Sequence, residues 1–334
     1  MSDIMARIGA YLLKQGLALE CRQAGLRTGS TPLAFGRIAY LQRGHSAGAS
    51  EAIVALHGAA SDNTCWIRFS RHLRCKLPLL LPDLPGHGGS IGTLDLDYGI
   101  HAQAARLQEW LAALGIRRVH LIGNSMGGAL AIMLAASAPE LVASLVLINP
   151  AGVETSPSWL RQEIARTGVN PMIEVQDARS YRAMMRIGMA TPPYVPGLLV
   201  SALARQFAQR VEINRKITRD IERDLDQRDN LAAVAATSLI VWGTADKVLH
   251  ADDARELQRR LANSRLVLLD ELGHVPMVEA PRQVADLCSR FLSEHVDGRS
   301  ADLKHARPRQ AAVPARHPEA RATAHPSQGT TPHG

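Results

Sequence analysis

The chain has 334 residues, 46% of them hydrophobic, and a formal net charge of +7; that length supports one sizeable core with an insertion, or two small domains. Residues 299–334 hold six Lys or Arg against two Asp or Glu, so this tail carries most of the excess, and the body is too nearly neutral for nucleic-acid binding to be its main business. The four cysteines (Cys21, Cys65, Cys75, Cys288) show no C-x-x-C spacing, which argues against a zinc site or a disulfide scaffold and for reduced thiols in a cytoplasmic protein, with a Cys65–Cys75 pair open to an exported one.

In chain order, residues 1–30 place Ile4, Ile8, Tyr11, Leu12 and Leu19 at helical spacing, with Arg7 and Lys14 between them. This amphipathic segment either packs on its own domain or lies on a membrane surface. Arg7, Lys14, Gln15 and Glu20 interrupt its apolar residues, so no cleaved signal is expected, and no run is long enough to span a bilayer. Strands are expected at 36–42, 51–56, 78–82, 118–122 and 143–148, and helices at 66–73, 98–114 and 126–137. Asp97 is the expected N-cap of the helix that Gly115 stops. Such alternation calls for a mostly parallel sheet with helices on both faces.

Residues 153–235 break the alternation with helical stretches separated by Pro171, Pro192, Pro193 and Pro196, and read as an inserted helical cap. Met172, Met184, Met185 and Met189 fall in it, along with Tyr181, Tyr194 and Phe207, where methionines line a pocket or simply pack helices together. The run Arg219–Asp224 reads as a solvated helix face. Alternation resumes over 236–297, with strands at 238–242 and 265–269, a helix at 252–262 and a last helix at 281–295 opened by Pro281. Residues 298–334, rich in Arg, Pro, Ala and His, are expected to be a disordered basic tail.

The chemistry centres on Gly123-Asn124-Ser125-Met126-Gly127-Gly128, set between an apolar strand and an apolar helix. Such a turn exposes a serine hydroxyl at the end of a sheet and aims free helix amides at whatever that oxygen attacks. A serine needs a base, and the base an orienting acid. Asp246 follows the strand ending at Trp242, and His274 follows the strand ending at Leu269, in the order Ser, Asp, His. Asp252 and Asp253 read as first-turn helix acids, while Asp270 and Glu271 lie too near the histidine's own strand. His57, His87 and His120 read as structural. Donors for an oxyanion are expected from the amides of Met126 and of Ala59, with Ala60 close behind.

Taken together, His57-Gly58, Pro82-Asp83-Leu84-Pro85-Gly86-His87-Gly88, the Ser125 turn, Trp242-Gly243-Thr244-Ala245-Asp246 and Gly273-His274 resemble the α/β-hydrolase superfamily over about residues 35–296. Asn149-Pro150-Ala151-Gly152 and the segment from Arg210 to Asp224 resemble bacterial lipases and monoacylglycerol-lipase-like members. The resemblance implies an α/β-hydrolase fold divided as core 31–152, cap 153–235 after the sixth strand, and core 236–297. It implies a serine esterase acting on acylglycerols or other lipid esters through Ser125, His274 and Asp246, without metal or organic cofactor. Acyl transfer by the same triad, and carbon–carbon cleavage of ring-fission diketones, remain the alternatives. A peripheral membrane contact through the N-terminal helix would suit a lipid substrate.

Overall fold

The computed structural model describes residues 2–44 and 48–296; the side chain of Ile4 and the tail expected at 298–334 lie outside the described residues. Among the described residues, eight strands form one sheet in the order β1-β2-β4-β3-β5-β6-β7-β8. They are β1 (Arg27–Leu33), β2 (Gly36–Arg43), β3 (Glu51–Leu56), β4 (Leu79–Pro82), β5 (Arg118–Ser125), β6 (Val142–Pro150), β7 (Thr237–Gly243) and β8 (Ser264–Leu269). Strand β2 pairs antiparallel with both β1 and β4, and every other pairing is parallel.

The period-2 pleat sorts the strand residues into two cores. Ala52, Val54, Leu56, Leu121, Leu147 and Trp242 face one helical layer. Ile53, Ala55, Ile122, Val146, Ile148 and Val241 face the other. Burial on both faces is why these strands read as nearly continuous apolar runs. Chain order reverses across β3, which has β4 on one side and β5 on the other, the point in such sheets where ligands bind beyond the carboxyl ends of the strands.

The N-terminal helix α1 (Ser2–Gln23) is shorter than the segment expected over 1–30. Gly25 at φ 68 turns the chain, while Gly25 N–H donates to the Arg22 carbonyl and Leu26 N–H to the Cys21 carbonyl, a Schellman stop. Strand β1 follows at once. Its mostly exposed sequence Arg-Thr-Gly-Ser-Thr-Pro-Leu lacks apolar alternation because it is an edge strand held by β2 alone. No described helix is long and apolar enough to cross a membrane.

Helix α2 (Ile67–His72) follows β3, α3 (Ile100–Ala113) precedes β5, and α4 (Met126–Ser137) follows it. Between β6 and β7 the described elements are helical: α5 (Trp159–Thr167), α6 (Ala178–Gly188), α7 (Gly197–Ala208), α8 (Val211–Glu222) and a short 3-10 turn. Helix α1 packs on α7 through Gly9, where an added Cβ would come within 2.8 Å of the Leu198 carbonyl. Tyr181 of α6 meets Phe207 of α7 edge to face, ring centroids 6.2 Å apart. After β7 come α9 (Asp253–Arg260), α10 (Pro276–Glu279) and α11 (Pro281–Val296).

Two expectations are corrected where cap meets core. Asp97 is not the N-cap of α3; its carboxylate accepts the Gly99 amide at 2.9 Å and Arg223 Nη2 at 2.5 Å. The first amides of α3, Ile100 and His101, donate instead to Asp224 beyond α8, at 2.8 and 2.9 Å. Arg219–Asp224 is therefore no simple solvated face. Asp220 within it is buried, accepting from the Tyr98 amide at 3.0 Å, from Lys216 and from Arg223. Burial opposes its ionisation, but these donors outweigh burial and hold its carboxyl below the usual carboxylate range.

Candidate active site

Strand β5 ends on Ser125 and α4 begins at the next residue. Ser125 is held at φ 54 and ψ −121, a conformation that costs energy in any residue with a side chain. The glycines around it explain how the turn closes. A Cβ on Gly123 would fall 2.4 Å from the Gly127 carbonyl oxygen, and one on Gly127 would fall 2.4 Å from that of Leu56. The amide of Met126, first in α4, is among the helix donors with no intrahelical acceptor and sits at the positive end of the dipole.

The loop after β3 runs beside this serine. An added Cβ on Gly58 would stand 3.0 Å from Ser125 Cβ and 3.6 Å from its Oγ. Of the two alanines weighed as oxyanion donors, Ala60 gives its amide to His87 Nε2 at 3.3 Å and adopts φ 54. Ala59 is exposed. His57 accepts the Leu84 amide on Nε2 at 3.0 Å, so its Nδ1–H donates to the Gly58 carbonyl at 2.8 Å. Burial lowers the pKa of both His57 and His87, keeping them neutral braces for the loop. His120, bonded to Ser144 and Glu51, is likewise buried with a lowered pKa. Asp83 accepts the Asn63 and Gly89 amides at 2.8 Å each, yet burial and the nearby Asp62 push its pKa up to about 6.

The other two expected residues are in direct contact. His274 Nδ1–H donates to Asp246 Oδ2 at 2.8 Å, with the side chains 6% and 0% exposed. That bond leaves Nε2 as the nitrogen able to take a proton. Asp246 is held on every side: Oδ2 also accepts Asn149 Nδ2 at 2.7 Å, and Oδ1 accepts the amides of Val248 at 2.7 Å and Leu249 at 3.0 Å. Among the rival acids, Asp253 accepts the Thr155 amide and hydroxyl, and Asp252 pairs with Arg255. Asn124 ties the serine to the histidine. Its Nδ2 donates to the His274 carbonyl at 3.0 Å and to the Ile148 carbonyl at 2.9 Å, one residue before Ser125. Among the described residues, Ser125 Oγ forms no hydrogen bond to the His274 ring; such bonds commonly tighten only when substrate is bound.

Asn149, held at φ 41, and Asn124 are not recognisable as site residues in the sequence, because their contacts lie 97 and 150 residues away. Only the tolerance of asparagine for positive φ hinted at the first. Among the described residues Cys21, Cys65, Cys75 and Cys288 form no disulfide, and burial raises the pKa of Cys288 to about 12. Among the described residues, no group of three or more His, Cys, Asp or Glu is arranged to hold a metal.

Known proteins bear on this arrangement. Lipase 1 of Psychrobacter immobilis is 31% identical over 278 residues, which span 82% of this chain and 86% of that lipase. Monoacylglycerol lipase ABHD6 of Bos taurus is 28% identical over 258 residues, 74% of this chain and 76% of its own. The crystal structure of a membrane phospholipase A, described as a bacterial virulence factor, matches with a TM-score of 0.82 at 32% identity, covering 88% of this chain and 93% of that one. The model of the alpha/beta hydrolase family matches residues 53–287, from the middle of β3 into α11. With that span of match, the chain belongs to the alpha/beta hydrolase family.

Proposed function

We propose that this carboxylic-ester hydrolase acts on acylglycerols or related lipid esters through a Ser125–His274–Asp246 triad and an acyl-enzyme. The observation that carries the reading is the 2.8 Å bond from His274 to a fully hydrogen-bonded Asp246, tethered by Asn124 to the strained residue Ser125. His274 Nε2 takes the Ser125 proton as Oγ attacks the ester carbonyl, and Asp246 stabilises the imidazolium. The oxyanion is met by the amides of Met126 and Ala59. Protonated His274 then gives its proton to the departing alcohol. A water activated by the neutral ring attacks the acyl-serine and releases the acid.

Lipase names among the relatives support a lipid ester over a small polar one. A membrane surface suits such a substrate. Helix α1 exposes Met5, Ile8, Tyr11, Leu12 and Leu19, interleaved with the cations Arg7, Lys14 and Arg22, and packs on cap helix α7. That pattern fits an interfacial helix on an anionic bilayer.

Hydrolysis of p-nitrophenyl esters from acetate to palmitate, by wild type and Ser125→Ala, tests the chemistry. Turnover lost in the variant is the expected result, and the chain-length optimum separates lipase from short-chain esterase. Folded protein with no turnover at any length would overturn the ester reading. Co-sedimentation with phosphatidylglycerol vesicles tests the surface: wild type should pellet, and Met5→Ser/Ile8→Ser/Leu12→Ser should stay in solution.

A further inference from the structure

The loop carrying His274 is bonded on its outer side to the cap, through a carboxylate that the proposed chemistry does not use. Glu279 closes α10, five residues after His274. Its Oε1 accepts the Gly273 amide at 2.7 Å, and its Oε2 accepts the Thr191 amide at 2.8 Å. Thr191 belongs to the stretch leaving α6 of the cap. The same stretch meets the histidine directly, because His274 N–H donates to the Gly188 carbonyl at 2.9 Å. The two backbones are in van der Waals contact. A Cβ on Gly273 would fall 2.8 Å from Ala190 N, 2.9 Å from Met189 Cα and 2.9 Å from Glu279 Oε1.

These bonds have a mechanical consequence. Asn124 fixes the His274 carbonyl to the sheet at 3.0 Å, while Gly188 and Glu279 fix the amides of His274 and Gly273 to the cap. The peptide that sets the ring's position is thus clamped between core and cap. A shift of residues 188–191 is transmitted to His274 unless those bonds break. Charge-assisted bonds from amides to a carboxylate are the strong members of their class, and one carboxylate joins both segments here. Pro192 and Pro193 follow Thr191 and restrict the backbone there, so the segment has little freedom to reach another acceptor.

We propose that Glu279 is a positioning residue that couples the cap segment Gly188–Thr191 to His274, so that the proton-accepting nitrogen is in register only while the cap is seated. This rests on the triad reading, but the coupling itself is readable without turnover.

The test compares wild type, Glu279→Ala and Glu279→Gln by peptide-level amide hydrogen exchange and by steady-state hydrolysis of a soluble short-chain p-nitrophenyl ester. In Glu279→Ala, peptides covering 188–191 and 272–275 should lose protection together while those in β5 and β6 keep theirs. Its kcat should fall roughly 10- to 100-fold, the scale of a mispositioned catalytic group, with KM changed less than about threefold. Glu279→Gln keeps one carbonyl acceptor and turns an NH2 toward the other amide, so it should recover part of both signals. Unchanged exchange at either segment, or loss confined to one of them, overturns the coupling. Coupled exchange with unchanged kcat overturns the positioning role, as does a fall in kcat accompanied by global loss of protection in both variants. If wild type itself hydrolyses no ester, the triad reading fails instead, and the exchange data alone decide the coupling.

Discussion

Asn149 offers a quantitative test of how the acid of the site is held. Its Nδ2 donates to Asp246 Oδ2 at 2.7 Å, its Oδ1 accepts the buried Gly243 amide at 3.2 Å, and its φ is 41. Asn149→Ala removes a charge-assisted bond, leaves the Gly243 amide unpaired, and places a Cβ-bearing residue without a polar side chain at positive φ. Those losses amount to roughly 3–6 kcal/mol, a large share of a domain's net stability. Melting should fall by on the order of 10 °C or more. Asn149→Gly relieves the backbone and should recover about 1 kcal/mol of this. The assay is thermal and urea unfolding of all three proteins, paired with ester hydrolysis. In the folded variants kcat should drop about tenfold, since Asp246 loses one of its four bonds but keeps His274. A melting point within 2 °C of wild type together with kcat within about twofold would mean that Asp246 needs no such brace.

Further outcomes follow from other sites. Gly127→Ala forces a Cβ to 2.4 Å from the Leu56 carbonyl and should abolish activity and most soluble expression, whereas Gly16→Ala, with nothing within 4 Å, should raise stability by about 0.5–1 kcal/mol; thermal melts of both decide it. Asp224→Ala uncaps α3 and loosens the cap, costing about 1–2 kcal/mol by denaturant unfolding, while Asp97→Ala should cost less. Asp83 has a folded pKa raised to about 6 from an ordinary 3.8, so between those values the native state binds more protons than the unfolded one. Its contribution to stability therefore falls as pH rises through that window, by about 3 kcal/mol in all. Unfolding at pH 4 and pH 7 should show that decline reduced in Asp83→Asn; an identical decline in both proteins would reject it.

How much of this was legible in the chain depends on range. The Ser125 turn, the strands on both sides of it and the placement of Asp246 and His274 after strands are local patterns of apolar runs and glycines. Strand β1 was not legible, because an edge strand needs no buried alternation: its Arg-Thr-Gly-Ser-Thr-Pro-Leu shows none, and its first four residues fell within the segment expected to be helical over 1–30. Asp224 looked like surface charge because its partners at Ile100 and His101 lie more than 120 residues away. Tertiary context overrode local preference there: the amides of α3 took the carboxylate that folding delivered, not the one nearest in sequence. Asn124, Asn149 and Glu279 were opaque for the same reason, since each acts through backbone groups or carboxylates on other elements. Nor does any local pattern show that the amide of Ala60, considered as an oxyanion donor beside Ala59, is given to His87.

The most direct test of the central claim is the rate and site of covalent labelling by a fluorophosphonate probe, read by intact-mass and peptide-mapping mass spectrometry. A single adduct on Ser125 is expected in wild type, none in Ser125→Ala, and labelling slowed at least a hundredfold in His274→Ala, because the hydroxyl is then without its base. An adduct on another residue, or equal labelling of wild type and His274→Ala, would contradict it.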